Sequence, residues 1–139
     1  MAKLVRTKKS LSNRDVERKE LLSVFKDDAE PRNTSIFKKN LKAWSPFIKI
    51  FRTWDRTYIY PMLWVAFDQF AQEMRTSPLE NGEAYATELE YARTLCYKLA
   101  TFERATRDQT PDIDDYDLET ELLTEFFEYF IENRGKWWW

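Results

Sequence analysis

Only two glycines, Gly82 and Gly135, occur in these 139 residues, and that scarcity limits what the chain can build. Glycine supplies the left-handed backbone that tight turns need. Few glycines, scattered prolines and long amphipathic stretches together predict an all-α fold, a bundle of four to six helices. The same scarcity excludes phosphate loops and dinucleotide fingerprints of the G-x-G-x-x-G or G-x-x-x-x-G-K kind. At this length one domain is expected, with a basic N-terminal tail over residues 1–10 and a single helical domain over 11–139.

Histidine is absent and Cys96 is the lone cysteine. Without histidine no side chain has an ordinary pKa near neutrality, so acid–base catalysis would need strongly perturbed carboxylates or lysines. Cys96 cannot form an intramolecular disulfide, nor anchor an ordinary zinc site without histidine. The expectation is therefore a non-enzyme with no catalytic residues, no metal and no cofactor. The longest apolar run, Pro61 to Phe67, is far too short to span a bilayer. The basic N-terminus lacks the apolar core of a secretory signal, so a membrane partner is not expected.

The formal net charge of −2 hides an asymmetry: residues 1–60 carry 15 Lys/Arg against 7 Asp/Glu, and residues 61–139 carry 7 against 17. The front half is net +8 and the back half net −10. Such a split suits an anionic partner at the front, or association of the halves within the chain or between copies.

Ser12 is a candidate cap for a helix running to about Asp28, and Asp27 to Asn33 reads as a connector around Pro31. A short helix from Ser35 carries Ile36, Phe37, Leu41 and Trp44 on one face, and Ser45-Pro46 suggests a restart through Phe51. Between Trp54 and Met74, apolar residues at helical spacing predict a helix starting between Asp55 and Tyr60. Ser77 to Gly82 is a turn, followed by one long helix from about Glu83 to Asp108. A last helix reaches about Asn133, with Leu118, Leu122, Phe126, Tyr129 and Phe130 inward and Gly135 as a left-handed C-cap.

Three places invite chemistry. Asp112 to Glu121 is acidic, but an EF-hand register starting at Asp112 puts Asp117 and Leu123 where Gly and Glu are needed. Those acids read instead as complements to a helix dipole. The segment holding Lys49, Arg52, Trp54, Arg56, Tyr58 and Tyr60 interleaves cations with flat rings, the combination that holds nucleotides or single-stranded nucleic acid. The rings also suit a core, with the arginines as solvated neighbours. Last, Lys136, Trp137, Trp138 and Trp139 put three large rings in succession, which cannot all face one core if extended. At least one ring therefore needs a partner, whether a groove on the same protomer, a second copy or a ligand; the four residues are interface candidates, most simply in a homo-oligomer.

Three segments resemble a loose group of small phage-encoded helical proteins: Trp54-Asp55 leading into Tyr58 to Met74, the helix Glu88 to Leu99, and Phe126 to Asn133 with Trp137-Trp138 close behind. The resemblance covers residues 54–139 and implies a viral origin without implying an activity. It sets the expected role as a non-enzymatic accessory protein in the host cytoplasm that counters host defence. Its partner would be a small nucleotide signal or a host defence protein. The alternatives are nucleic-acid binding through the basic front half, or a virion or assembly component.

Overall fold

The computed structural model describes residues 2–27, 34–107 and 114–137. Those residues form six α-helices and two short 3-10 helices, with no strand among them. The all-α expectation is met. The helices are α1 (Ala2–Asp27), α2 (Thr34–Ile50), α3 (Ile59–Thr76), α4 (Gly82–Ala100), α5 (Phe102–Arg107) and α6 (Asp115–Asn133). The chain divides into two compact units, Met1–Lys39 and Asn40–Trp139, and the division falls inside α2.

In the first unit, α1 begins at Ala2, ten residues before the expected cap at Ser12. No glycine or proline lies between Ala2 and Asp27, and Lys, Arg, Leu and Glu are good helix formers, so nothing stops the helix earlier. Residues 13–25 are all exposed, including Val16, Leu21, Leu22, Val24 and Phe25. The connector expected around Pro31 lies outside the described residues.

The second unit is a set of helices that reverse direction in turn. In the second half of α2, Trp44 donates its indole N–H to Gln69 at 2.5 Å, and Phe47 stacks on Trp64 at 5.9 Å. Rising residue numbers on α2 thus meet falling numbers on α3. The expected restart at Ser45-Pro46 does not occur, and α2 runs through Pro46. The proline removes one backbone donor, but the contacts of Trp44 and Phe47 on either side hold the helix onto α3.

Helices α3 and α4 form an antiparallel hairpin, Asp68 pairing with Arg93 at 2.5 Å and Arg75 with Glu83 at 3.2 Å. The hairpin needs Gly82. A Cβ there would lie 2.5 Å from the Met74 carbonyl oxygen, closer than real Cβ atoms come. Helix α6 runs antiparallel to α4, since Tyr91 bonds Glu125 and Tyr129 bonds the carbonyl of Glu88.

Two apolar clusters fill the unit. One gathers Tyr60, Leu95, Cys96, Leu99, Phe102 and Phe126; the other gathers Ala71, Met74, Ala86, Leu89, Ala92 and Trp137. Phe67 and Tyr129 pack against both and join them.

The long helix expected from Glu83 to Asp108 is broken at Thr101. The Thr101 hydroxyl donates to the Tyr97 carbonyl at 2.9 Å, and its N–H is shared between Tyr97 and Lys98. Such back-bonding by a β-branched residue competes with the helix ladder. The turn it makes carries Phe102 into the first cluster, 5 % exposed. Gly135 also differs from expectation: no glycine has positive φ, and α6 tightens into a 3-10 turn, Arg134–Lys136.

Candidate functional site

The basic-aromatic segment leaves α2 at Lys49 and crosses to α3 through a turn and the 3-10 helix Arg56–Tyr58. Asp55 shapes that crossing. Its carboxylate accepts the Thr57 N–H at 3.0 Å and the Thr57 hydroxyl at 2.7 Å. Those bonds, helped by Arg52 and Arg56, hold its pKa below the ordinary carboxylate value.

The six residues singled out from the sequence separate into two groups. Lys49, Arg52 and Trp54 are exposed, and the Trp54 ring, 82 % exposed, is the most open of the large apolar residues among those described. The Arg52 guanidinium lies 5.3 Å from the centre of the half-buried Tyr58 ring, within cation–π range. This group offers a free ring and two cations on one stretch of chain.

Arg56 and Tyr60 turn inward to a partner that sequence reasoning passed over. Arg56 donates to Glu119 at 2.5 Å, and the Tyr60 hydroxyl donates to the same carboxylate oxygen at 3.0 Å. Glu119 is 3 % exposed. Arg56, first, and then Tyr60 hold the Glu119 carboxyl below its ordinary pKa against the opposing effect of burial. Burial, with the adjacent carboxylate, pushes Tyr60 up to about 12. A buried carboxylate costs several kcal/mol unless it is paired and hydrogen-bonded, and here both conditions hold. Glu119 was grouped with the acids that complement the start of α6. Its spacing tells otherwise: three residues before Leu122 and seven before Phe126, it lies on the inward face.

Neighbouring acids do behave as helix-start complements. Asp114 caps α6, accepting the Tyr116 N–H at 3.2 Å. Asp112 lies outside the described residues, and no group of three or more metal-ligating residues occurs among those described.

Of the terminal rings, the structure describes Trp137, and it packs within its own chain. Trp137 is 6 % exposed and belongs to the second cluster of its own chain. Its ring packs against Phe67 at 6.0 Å, Tyr129 at 5.9 Å and Phe130 at 6.2 Å. Its indole N–H donates to Glu88 at 3.0 Å, and Lys136 stands 3.6 Å from that carboxylate. The 3-10 turn after Asn133 swings Trp137 back over α4, which makes it a core residue of its own chain. Trp138 and Trp139 lie outside the described residues.

Cys96 is fully buried, and desolvation pushes its thiol up to about 12. A thiol so placed is a core atom, not a nucleophile. No helix among the described residues is long and apolar enough to cross a membrane. No protein family, curated protein or solved structure matches this chain.

Proposed function

We propose that this chain is a non-enzymatic, phage-encoded accessory protein of the host cytoplasm that counters host defence by binding, with a nucleotide signal as its concrete ligand. The observation that carries the reading is the exposed Trp54 ring beside the Arg52–Tyr58 pair and Lys49. A free indole face stacks on a base, while Arg52 and Lys49 neutralise phosphate. Arg56, whose side chain is 61 % exposed although paired with Glu119, can reach the same ligand from the rim. The phage and counter-defence setting rests on the sequence resemblance, and the non-enzymatic character on the missing histidine and the buried Cys96 thiol.

Calorimetry with a panel of cyclic nucleotides tests this. A saturable heat for at least one member, lost in Trp54→Ala, supports the reading. No heat from any member at high protein concentration overturns it.

A second reading is favoured by α1, which carries eight Lys/Arg against four Asp/Glu and whose described side chains are all exposed. A basic, open helix suits a nucleic-acid backbone. Such binding weakens steeply with salt because each neutralised phosphate releases counterions. Filter binding at two salt concentrations separates the two: a small-ligand site at Trp54 is far less sensitive.

A further inference from the structure

A cleft of about 310 Å³ opens between α3, α4 and the end of α6, walled by Ala66, Phe67, Phe70, Leu89, Phe130 and Trp137. Arg134 stands in the same lining and is its one charged residue. Three arginines of the same unit have carboxylate partners: Arg56 has Glu119, Arg75 has Glu83 and Glu90, and Arg93 has Asp68. Arg134 differs. It donates to the Ile131 carbonyl one turn back and forms no ion pair among the described residues. An apolar cleft with a single uncompensated guanidinium has a definite chemical preference.

We infer that this cleft binds an amphipathic carboxylate with a planar, apolar body about the size of one aromatic ring and its conjugated arm. The walls favour a flat body. Phe67 meets Phe130 at 87° and Trp137 at 81°, with centroids 6.3 and 6.0 Å apart, while Phe130 and Trp137 tilt at 55° to each other. A further ring extends that edge-to-face pattern. The guanidinium offers a planar fork that matches a carboxylate. The volume falls at the lower end of small-molecule sites. The cleft is separate from the Trp54 surface: at 1.5 Å rise per residue, Phe70 lies about 15 Å along α3 from Tyr60.

The test is calorimetric titration of the full chain with cinnamate, cinnamyl alcohol and cinnamylamine. Cinnamate is expected to bind one to one, about tenfold tighter than the alcohol, the amine weakest, since hydrogen bonds to charged groups are the strong ones. Arg134→Gln should bring cinnamate to the level of the alcohol and leave the alcohol unchanged. Ala66→Phe should fill the cleft and remove both. Because Arg134 is exposed, its variant keeps the test valid even if Ala66→Phe does not fold by circular dichroism. Trp54→Ala should leave cinnamate binding intact, which distinguishes this site from the nucleotide surface. No saturable heat with cinnamate, equal affinity for all three compounds, or an unaltered cinnamate affinity in Arg134→Gln overturns the inference.

Discussion

Glu88 of α4 accepts the indole N–H of Trp137 at 3.0 Å, a bond spanning 49 residues of sequence. The backbone carbonyl of Glu88 accepts the Tyr129 hydroxyl at 3.0 Å as well. One residue therefore anchors both the last turns of α6 and the segment beyond it. These bonds add to the burial of the Trp137 ring among Phe67, Tyr129 and Phe130 in holding the segment inward.

Trp137→Ala should lower the unfolding free energy by about 3–5 kcal/mol, the cost of emptying a large aromatic site in a core. Glu88→Ala should cost about 1–3 kcal/mol through the unpaired indole donor and the lost Lys136 contact. Urea unfolding followed by circular dichroism measures both. A midpoint for Trp137→Ala equal to that of the unaltered chain would show that the ring is not part of the core.

Glu119 makes stability depend on acid. Its carboxyl titrates lower in the folded chain than in the unfolded one, chiefly because of the Arg56 bond. The associated stability is complete above the ordinary carboxylate value and is lost as pH falls through the lowered one. Glu119→Gln should cost about 1–3 kcal/mol at neutral pH and flatten the fall in melting temperature on the acid side. Parallel melting curves from pH 7 to pH 3 check this, and identical slopes for the two proteins would exclude the pairing as the source.

Gly82→Ala should destabilise the hairpin by about 1–3 kcal/mol, the usual cost of overpacking a closed site. The added methyl would meet the Met74 carbonyl oxygen, a backbone atom that cannot swing aside. Thermal melts measure it. The result is informative because alanine normally stabilises a helix relative to glycine, so a rise in melting temperature would contradict the close approach.

Trp54→Ala should change stability by less than about 0.5 kcal/mol, as expected for an exposed side chain outside any buried network. The proposed nucleotide binding, by contrast, should be lost. Tyr60→Phe should do the reverse, weakening the fold through Glu119 and leaving the Trp54 surface in place. Measuring stability and binding on both variants separates the platform from the structural cluster that adjoins it.

Much of the helical plan is legible in the chain because its signals are local. Leu89, Ala92, Cys96 and Leu99 recur at helical spacing and are all buried on one face of α4. Where expectation and structure differ, a longer-range contact intervenes. Pro46 does not restart a helix because Trp44 and Phe47 bind it to α3 on both sides. Thr101 breaks a helix that periodicity alone would continue, and burial of Phe102 favours the break.

The sequence by itself determined the fold class, the absence of glycine-dependent phosphate chemistry, the charge asymmetry, and the identity of a segment rich in cations and rings. These are properties of composition and spacing, and they survive any arrangement of the helices. Only the tertiary structure decided which of those cations and rings are available. It turned Arg56 and Tyr60 toward a carboxylate that lies 63 and 59 residues away, and it left Arg52 and Trp54 exposed with Tyr58 half-buried beside Arg52. It also placed Trp137 in the core of its own chain, where the sequence left its partner open. The physical reason is the same in each case: a buried charge or ring is stable only beside a complementary partner, and the partner is chosen by helix packing rather than by proximity along the chain.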